Sequence, residues 1–404
     1  MPTETTPVVL LFEDDRTIAL DFDKRMKPKF GKACELKIFP LDEPPADGNK
    51  PYDERVEHWI RNCGYYDRIV LIVTDRDLSA NSNHWSGLSQ TAVSGAARQL
   101  GLPVAGYRRA KPNTVDGFKR IPGDGLIDLD PDIAQRASQV GALAKGFVDL
   151  QARMQAWHEG LDEAGQAKPA AKAAGKVAGK SAAAAAAKPA AKRRSSAVMP
   201  MASPGALLAG ILGQPTTAGH FDTFACGDQV TIGEILSFGQ NKKARMSKQM
   251  QRRLVSALGV WLTDLVMKYP GVLVNQVAAA SYLDIHTKDF AKPEVQKLFQ
   301  AARYAGLPFE DDANPLWWRH LLDERISDAE CTSGLELCHK EGHKKVRFCP
   351  CDEDDKLHAG YYCMATNTPL SAEKSSGRVR WFPPGADLAR LKARIYRKLA
   401  PWIG

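Results

Sequence analysis

Long hydrophobic runs are absent from this chain of 404 residues. The longest, around 206–212 and 271–274, fall far short of the roughly 20 apolar residues that a membrane-spanning helix needs. The first residues also lack a basic region ahead of their apolar stretch, so a secretory leader is not expected. We therefore expect a cytoplasmic protein that does not use a membrane as a partner.

Acidic residues are missing between 165 and 204, where eight lysines and arginines account for the whole formal net charge of +8. This segment consists mainly of Ala, Lys, Gly, Pro and Ser, which bury too little apolar area to offset the entropy lost on ordering. We predict a disordered basic linker over 161–205. Such a linker either binds the phosphates of DNA or RNA or serves only as a solvated tether.

Cysteine is scarce outside one stretch, because five of the eight cysteines lie between residues 331 and 363, with histidines among them. In a cytoplasmic chain this indicates thiols or metal ligands rather than disulfides. The candidate ligands for a structural Zn²⁺ are Cys338, His343, Cys349 and Cys351. Because a single residue separates the last two, the spacing is not that of a zinc knuckle, and buried free thiols are the alternative.

Five β-prone runs alternate with helical patterns between Pro7 and Asp132. They cover 8–12, 35–39, 69–74, 102–107 and 125–129. This alternation is typical of an α/β doubly wound parallel sheet, so we predict a five-stranded domain over 1–132.

Apolar residues between Ile133 and Trp157 then recur in steps of three, four and seven, which predicts an amphipathic helix over 133–160. Its heptad-like seam over 133–159 either packs on the chain's own core or forms a homodimeric coiled coil.

The C-terminal region is predicted to be α+β. A mainly helical domain is expected over 206–330 and a Cys/His-rich module over 331–404. The neighbouring Trp317 and Trp318 belong either to a core or to a surface that stacks on nucleic-acid bases.

Two acidic clusters each follow an apolar run. Glu13 and Asp14 come directly after 8–12, and Asp75 and Asp77 come after 69–73. If the two runs are neighbouring parallel strands, these carboxylates meet at the carboxyl edge of the sheet, where open α/β sheets bind ligands. Converging carboxylates repel one another unless a hard divalent cation joins them, so we predict a Mg²⁺ site.

The segments VVLLFEDDRTIALDF, DRIVLIVTDRDLS and GLPVAGY resemble the receiver domains of two-component response regulators. The resemblance implies that Glu13 and Asp14 hold Mg²⁺, that Asp75 accepts a phosphoryl group, and that Asp77 lends a backbone carbonyl to the metal. It also implies phosphorelay signalling, in which a sensor histidine kinase is the partner and the C-terminal region is the output module.

Two positions depart from the receiver pattern. Arg108 stands where the family has a small hydroxyl residue after strand four, and Asp130 stands where it has a lysine before proline. Arg108 is expected to bind phosphate bidentately in place of the hydroxyl group.

Two other functions remain open. A glutamate after a first strand and an Asp-x-Asp after a later one also resemble Toprim domains, which use Mg²⁺ to cut, join or synthesise nucleic-acid strands. Glu13, Asp75 and Asp77 would then be the metal ligands of a metal-dependent nuclease or related enzyme, although Asp14 replaces the usual glycine. The third hypothesis is a receiver-like interaction scaffold that is never phosphorylated.

Overall fold

A computed structural model describes residues 6–30, 33–44, 49–78, 84–108, 125–166, 203–224 and 247–403. Apart from its two ends, the predicted linker over 161–205 lies outside these residues, and so do the disorder and the nucleic-acid contacts predicted for it. Within the described ranges, no helix combines the length and the apolar character needed to cross a membrane.

The predicted five-stranded parallel sheet is confirmed. Its strands are β1 (Val8–Phe12), β2 (Glu35–Ile38), β3 (Ile69–Asp75), β4 (Val104–Tyr107) and β5 (Leu126–Asp128). The strand order is β2-β1-β3-β4-β5, and every neighbouring pair is parallel. β1 and β3, the strands that the two acidic clusters follow, are therefore neighbours.

Helices join these strands in the order expected of an α/β fold. They are α1 (Arg16–Phe30), α2 (Tyr52–Asn62), α3 (Gln90–Leu100) and, after β5, α4 (Ile133–Gln166). Successive strand residues point to opposite sides of a sheet. Accordingly, Val9 and Leu11 of β1 share a core with α1 and α4, whereas Val8 and Leu10 share another with α2 and α3.

The apolar seam of α4 packs inside the chain. Its buried members are Val140, Leu143, Phe147, Leu150 and Met154, and all belong to the core that α1 also lines. This is the intramolecular alternative of the two that the spacing left open.

Helices α5 (Pro204–Ile211), α6 (Ala218–Asp222) and α7 (Lys248–Trp261) follow, and α7 continues into a π-helical turn, Leu262–Val266. Helix α7 also contacts the N-terminal domain. The Arg252 guanidinium lies 4.6 Å from the centroid of the Tyr66 ring, and Arg253 donates a hydrogen bond of 3.0 Å to the carbonyl of Gln99. The N-terminal sheet and the C-terminal region are thus packed together.

The remaining elements are short. The strands are β6 (Leu273–Asn275), β7 (Leu316–Trp318), β8 (Pro350–Cys351), β9 (Asp354–His358), β10 (Tyr361–Cys363), β11 (Thr368–Leu370) and β12 (Ala389–Arg390). The helices are α8 (Gln276–Tyr282), α9 (Thr287–Phe290), α10 (Pro293–Leu298), α11 (Arg319–Asp328), α12 (Gly334–Lys340) and α13 (Ala393–Ile403). Residues from both sides of position 330, such as Trp317 and Cys338, share one apolar core.

Three glycines allow α4 to approach its neighbours closely. A Cβ at Gly141 would overlap the Phe30 ring of α1, one at Gly146 would overlap the Phe309 ring, and one at Gly259 of α7 would overlap the Phe147 ring of α4. We call these the three glycine–phenylalanine pairs. Glycine lowers helix propensity, yet here it creates the space that each ring occupies.

The pair formed by Gly259 and Phe147 gives a direct test of this packing. We expect Gly259→Ala to lower the free energy of unfolding by about 1–3 kcal/mol, the usual cost of overpacking a core. Urea denaturation measures the change. Gly219→Ala on α6 is the control, because open space surrounds that position. A Gly259→Ala protein as stable as the wild type would contradict the close contact.

Candidate functional site at the carboxyl edge of the sheet

Three carboxylates converge where β1 and β3 end. Glu13 and Asp14 directly follow β1, Asp75 is the last residue of β3, and one ligand oxygen from each lies within 4.8 Å of the others. Glu13 and Asp75 are buried, whereas Asp14 is partly exposed and brings the group to the surface. The predicted convergence of these three residues is confirmed, and the group could hold a metal ion.

Hydrogen bonds orient the Glu13 carboxylate. The backbone N–H of Asp15 donates to its Oε1 (2.9 Å), and the hydroxyl group of Tyr107 donates to its Oε2. Burial and the negative charge of Glu13 raise the pKa of Tyr107 far above its ordinary value, so the phenol stays protonated and remains a donor. Tyr107 was not predicted as a site residue from the sequence, although it ends β4 in register with Asp75.

Asp75 is fully buried, and its Oδ1 accepts the backbone N–H of Asp77 at 3.1 Å. Asp77 therefore contacts the group of three carboxylates through its backbone N–H. Its side chain is exposed, and its carboxylate is not part of the group of three. Arg108 is exposed directly after β4, one residue beyond Tyr107.

Arg136 is a buried cation on the first turn of α4. Its guanidinium lies 3.6 Å from the centroid of the Tyr107 ring, and it donates to the backbone carbonyls of Asp130 (3.1 Å) and Pro131 (2.5 Å). The Asp132 carboxylate accepts the N–H groups of Ala134 and Gln135 and so fixes the start of the helix.

The surroundings of Arg136 act on its charge in opposite directions. Burial lowers the pKa of Arg136, while Tyr107, Asp75 and Glu13 raise it. Arginine stays protonated even after such a shift. A permanent positive charge therefore stands beside the acidic group.

A chain of charges leads from the acidic group to the C-terminal region. Arg76, the residue after Asp75, pairs with Asp128 at the end of β5. Lys268 then lies 3.5 Å from Asp128 and 3.8 Å from Asp264, a buried carboxylate in the π-helical turn. Local π-helical turns are frequent at functional sites. Lys268 was not predicted, because its partners become neighbours only in the folded chain.

The structure does not assemble the predicted zinc site. Among the described residues, Glu13, Asp14 and Asp75 are the only group of three or more His, Cys, Asp or Glu whose ligand atoms lie within 4.8 Å of one another. Cys338, His343, Cys349 and Cys351, all described, therefore do not converge.

The cysteines among these candidate ligands are buried. Cys338 and Cys351 lie in different apolar clusters. Burial raises the pKa of the Cys338 thiol to about 11, and burial together with Asp284 and Cys351 raises that of Cys349 to about 12. Buried cysteine packs as a small apolar group.

The two neighbouring tryptophans are core residues. Trp317 and Trp318 are each 1% exposed and pack against Phe290 and Tyr304. They are not available to stack on nucleic-acid bases, so that alternative is wrong for this pair.

Comparison with known proteins gives no match: no protein-family model, no curated protein and no solved structure is similar to this chain. The class is therefore defined by geometry alone, as a five-stranded all-parallel sheet, receiver-like in topology, with an acidic group at its edge.

Proposed function

We propose that the N-terminal domain is a doubly wound, receiver-like regulatory domain of a signalling protein. In this proposal it binds Mg²⁺ at the group of Glu13, Asp14 and Asp75 and accepts a phosphoryl group on Asp75, and its state controls the C-terminal output module. The observation that carries the proposal is the convergence of these three carboxylates at one edge of a parallel sheet.

The donor set suits a hard divalent cation. Mg²⁺ prefers carboxylate oxygens and keeps several waters, and the partly exposed Asp14 leaves the group open to solvent on one side. When bound, the cation would offset the negative charge that gathers around a transferring phosphoryl group.

The chemistry assigned to Asp75 is nucleophilic. One of its carboxylate oxygens forms a bond to phosphorus while the bond from phosphorus to the donor breaks, a P–O bond in acetyl phosphate or a P–N bond in a phosphohistidine, and the electron pair leaves with the donor. The backbone N–H of Asp77 donates to Asp75 Oδ1 and so fixes the orientation of the carboxylate. Arg108, exposed next to Tyr107, is the proposed phosphate-binding residue.

We favour this function over a Toprim-type nuclease because of which carboxylates are grouped. The nuclease hypothesis needs Glu13, Asp75 and Asp77, but the third member of the group is Asp14, at the position where the Toprim pattern has glycine. The unphosphorylated scaffold differs from our proposal only in its chemistry, so a phosphorylation experiment separates the two.

The test is incubation of the full chain with acetyl phosphate and Mg²⁺, followed by intact-mass analysis. We expect the wild type to gain one phosphoryl group that hydroxylamine removes, as an acyl phosphate requires. Asp75→Asn should gain none, because the amide is not a nucleophile. Asp312→Asn, a change at an exposed carboxylate paired with Arg303, should behave as the wild type.

An adduct that persists in Asp75→Asn would assign phosphorylation to another residue. Absence of any adduct would contradict the phosphoacceptor and support the scaffold, unless Mg²⁺- or Mn²⁺-dependent cleavage of nucleic acid is then found. Cleavage that is lost in both Asp75→Asn and Asp77→Asn would establish the nuclease instead.

A further inference from the structure

Arg136, on the first turn of α4, is a cation beside the acidic edge of the sheet, and it is 3% exposed. Three groups hold its guanidinium: the carbonyl of Asp130, the carbonyl of Pro131 and the face of the Tyr107 ring. Tyr107 in turn donates its hydroxyl hydrogen to Glu13. A single phenol thus separates the buried cation from the proposed metal ligand.

Burial of a guanidinium is costly unless hydrogen bonds and opposite charge compensate for it. The two carbonyls and the aromatic ring supply part of the compensation. The carboxylates of Asp75 and Glu13 supply the charge, since both interact favourably with the protonated form of Arg136. The acidic group and the start of α4 therefore stabilise each other.

We propose that Arg136 is a resident counter-charge of the acidic group, and that a divalent cation bound by Glu13, Asp14 and Asp75 competes with it. Two positive charges repel each other when they share the same carboxylates. Binding of the divalent cation therefore weakens the hold on Arg136 and loosens the first turn of α4. This inference rests on the cation binding proposed above and adds a means of regulating that site.

Helix α4 connects this event to the C-terminal region. Phe147 lies eleven residues beyond Arg136, about 16 Å along the helix axis. Its ring contacts the Phe309 ring, with centroids 4.9 Å apart, and fills the space at Gly259 of α7. A shift of α4 at its first turn is thereby transmitted to residues that pack against both halves of the chain.

The test compares Mn²⁺ affinity, measured by isothermal titration calorimetry on the full chain, in the wild type, Arg136→Met and Arg136→Lys. Methionine fills much of the same volume without charge, so we expect Arg136→Met to bind Mn²⁺ about tenfold more tightly, which corresponds to about 1.4 kcal/mol. Arg136→Lys keeps the charge and should stay within about threefold of the wild type. Glu13→Gln should abolish binding in the wild-type and Arg136→Met backgrounds alike.

Hydrogen–deuterium exchange on the wild type supplies a readout that needs no variant. Addition of Mn²⁺ should speed exchange at the amides of 133–140. This acceleration should be absent in Arg136→Met, because that variant lacks the guanidinium charge that the divalent cation repels.

The outcomes separate the two proposals. If the wild type binds Mn²⁺ but Arg136→Met binds it no more tightly, and exchange at 133–140 is unchanged, then Arg136 is only a structural residue and the inference is wrong. If neither the wild type nor Arg136→Met binds Mn²⁺, then the acidic group is not a cation site and the proposed function fails first. Binding seen only after removal of Arg136 would support the competition.

Discussion

Replacing Phe147 with alanine is expected to lower the free energy of unfolding by about 3–5 kcal/mol, the range for removing a fully buried phenylalanine. Its ring is 2% exposed and forms an edge contact with the Phe309 ring. It also fills the space above Gly259. Because the ring joins α4 to α7, we further expect urea denaturation, followed by far-ultraviolet circular dichroism, to separate into two transitions.

The neighbouring substitution Val148→Ala is the matched control. Val148 is on the same helix but 37% exposed, so its truncation should change stability by less than about 0.5 kcal/mol. Combining Phe147→Ala with Gly259→Ala completes a double-mutant cycle. Once the Phe147 ring is removed, the methyl group added at position 259 should no longer lower the free energy of unfolding. Additive effects in that cycle would show that the two positions do not touch.

Asp289→Asn is expected to cost about 2–3 kcal/mol, because charge-assisted hydrogen bonds to a buried carboxylate are lost. Asp289 is 2% exposed on α9. Its Oδ2 accepts the Nε–H (2.9 Å) and the backbone N–H (3.2 Å) of Arg347, and its Oδ1 lies 2.8 Å from the Lys292 ammonium. Asp312→Asn, at an exposed carboxylate, should cost less than about 1 kcal/mol.

The pH dependence of this effect has a definite sign. Burial alone would raise the pKa of Asp289, but the hydrogen bonds from Arg347 and Lys292 outweigh it and hold the pKa well below the ordinary value. The unfolded chain therefore binds a proton before the folded one as the pH falls. The stability difference between the wild type and Asp289→Asn should be constant above about pH 5 and shrink below about pH 4. A difference that grows on acidification would contradict this account.

The acidic group was predictable from the sequence because strand direction determines where strands end. Runs 8–12 and 69–73 are apolar throughout, as strands buried on both faces are, and parallel pairing brings their carboxyl ends to one edge. No side-chain detail was needed to bring Glu13, Asp14 and Asp75 together.

Tyr107 and Arg136 could not be predicted in the same way. The contact of Tyr107 with Glu13 depends on the register of β4 against β3. The contact of Arg136 with the Tyr107 ring depends on how α4 packs across the sheet. In the sequence Arg136 only interrupts an apolar seam. In the folded chain its guanidinium lies over the ring of Tyr107, whose hydroxyl group donates to Glu13.

The predicted zinc ligands show the opposite limit. Spacing along a chain restricts which residues can meet, but cysteine serves equally well as a ligand and as a small apolar side chain. Cys338 and Cys351 lie in two separate apolar clusters, and neither cluster is visible in the spacing.

The three glycine–phenylalanine pairs also restrict how this chain can evolve. A methyl group at any of the three glycines is tolerated only if the facing ring becomes smaller, so the partners should change together among descendant sequences. The pair of Gly146 and Phe309 joins α4 to the C-terminal region. Recombination that exchanged this region between related proteins would therefore have to carry a compatible α4 with it, and the two are expected to be inherited as one unit.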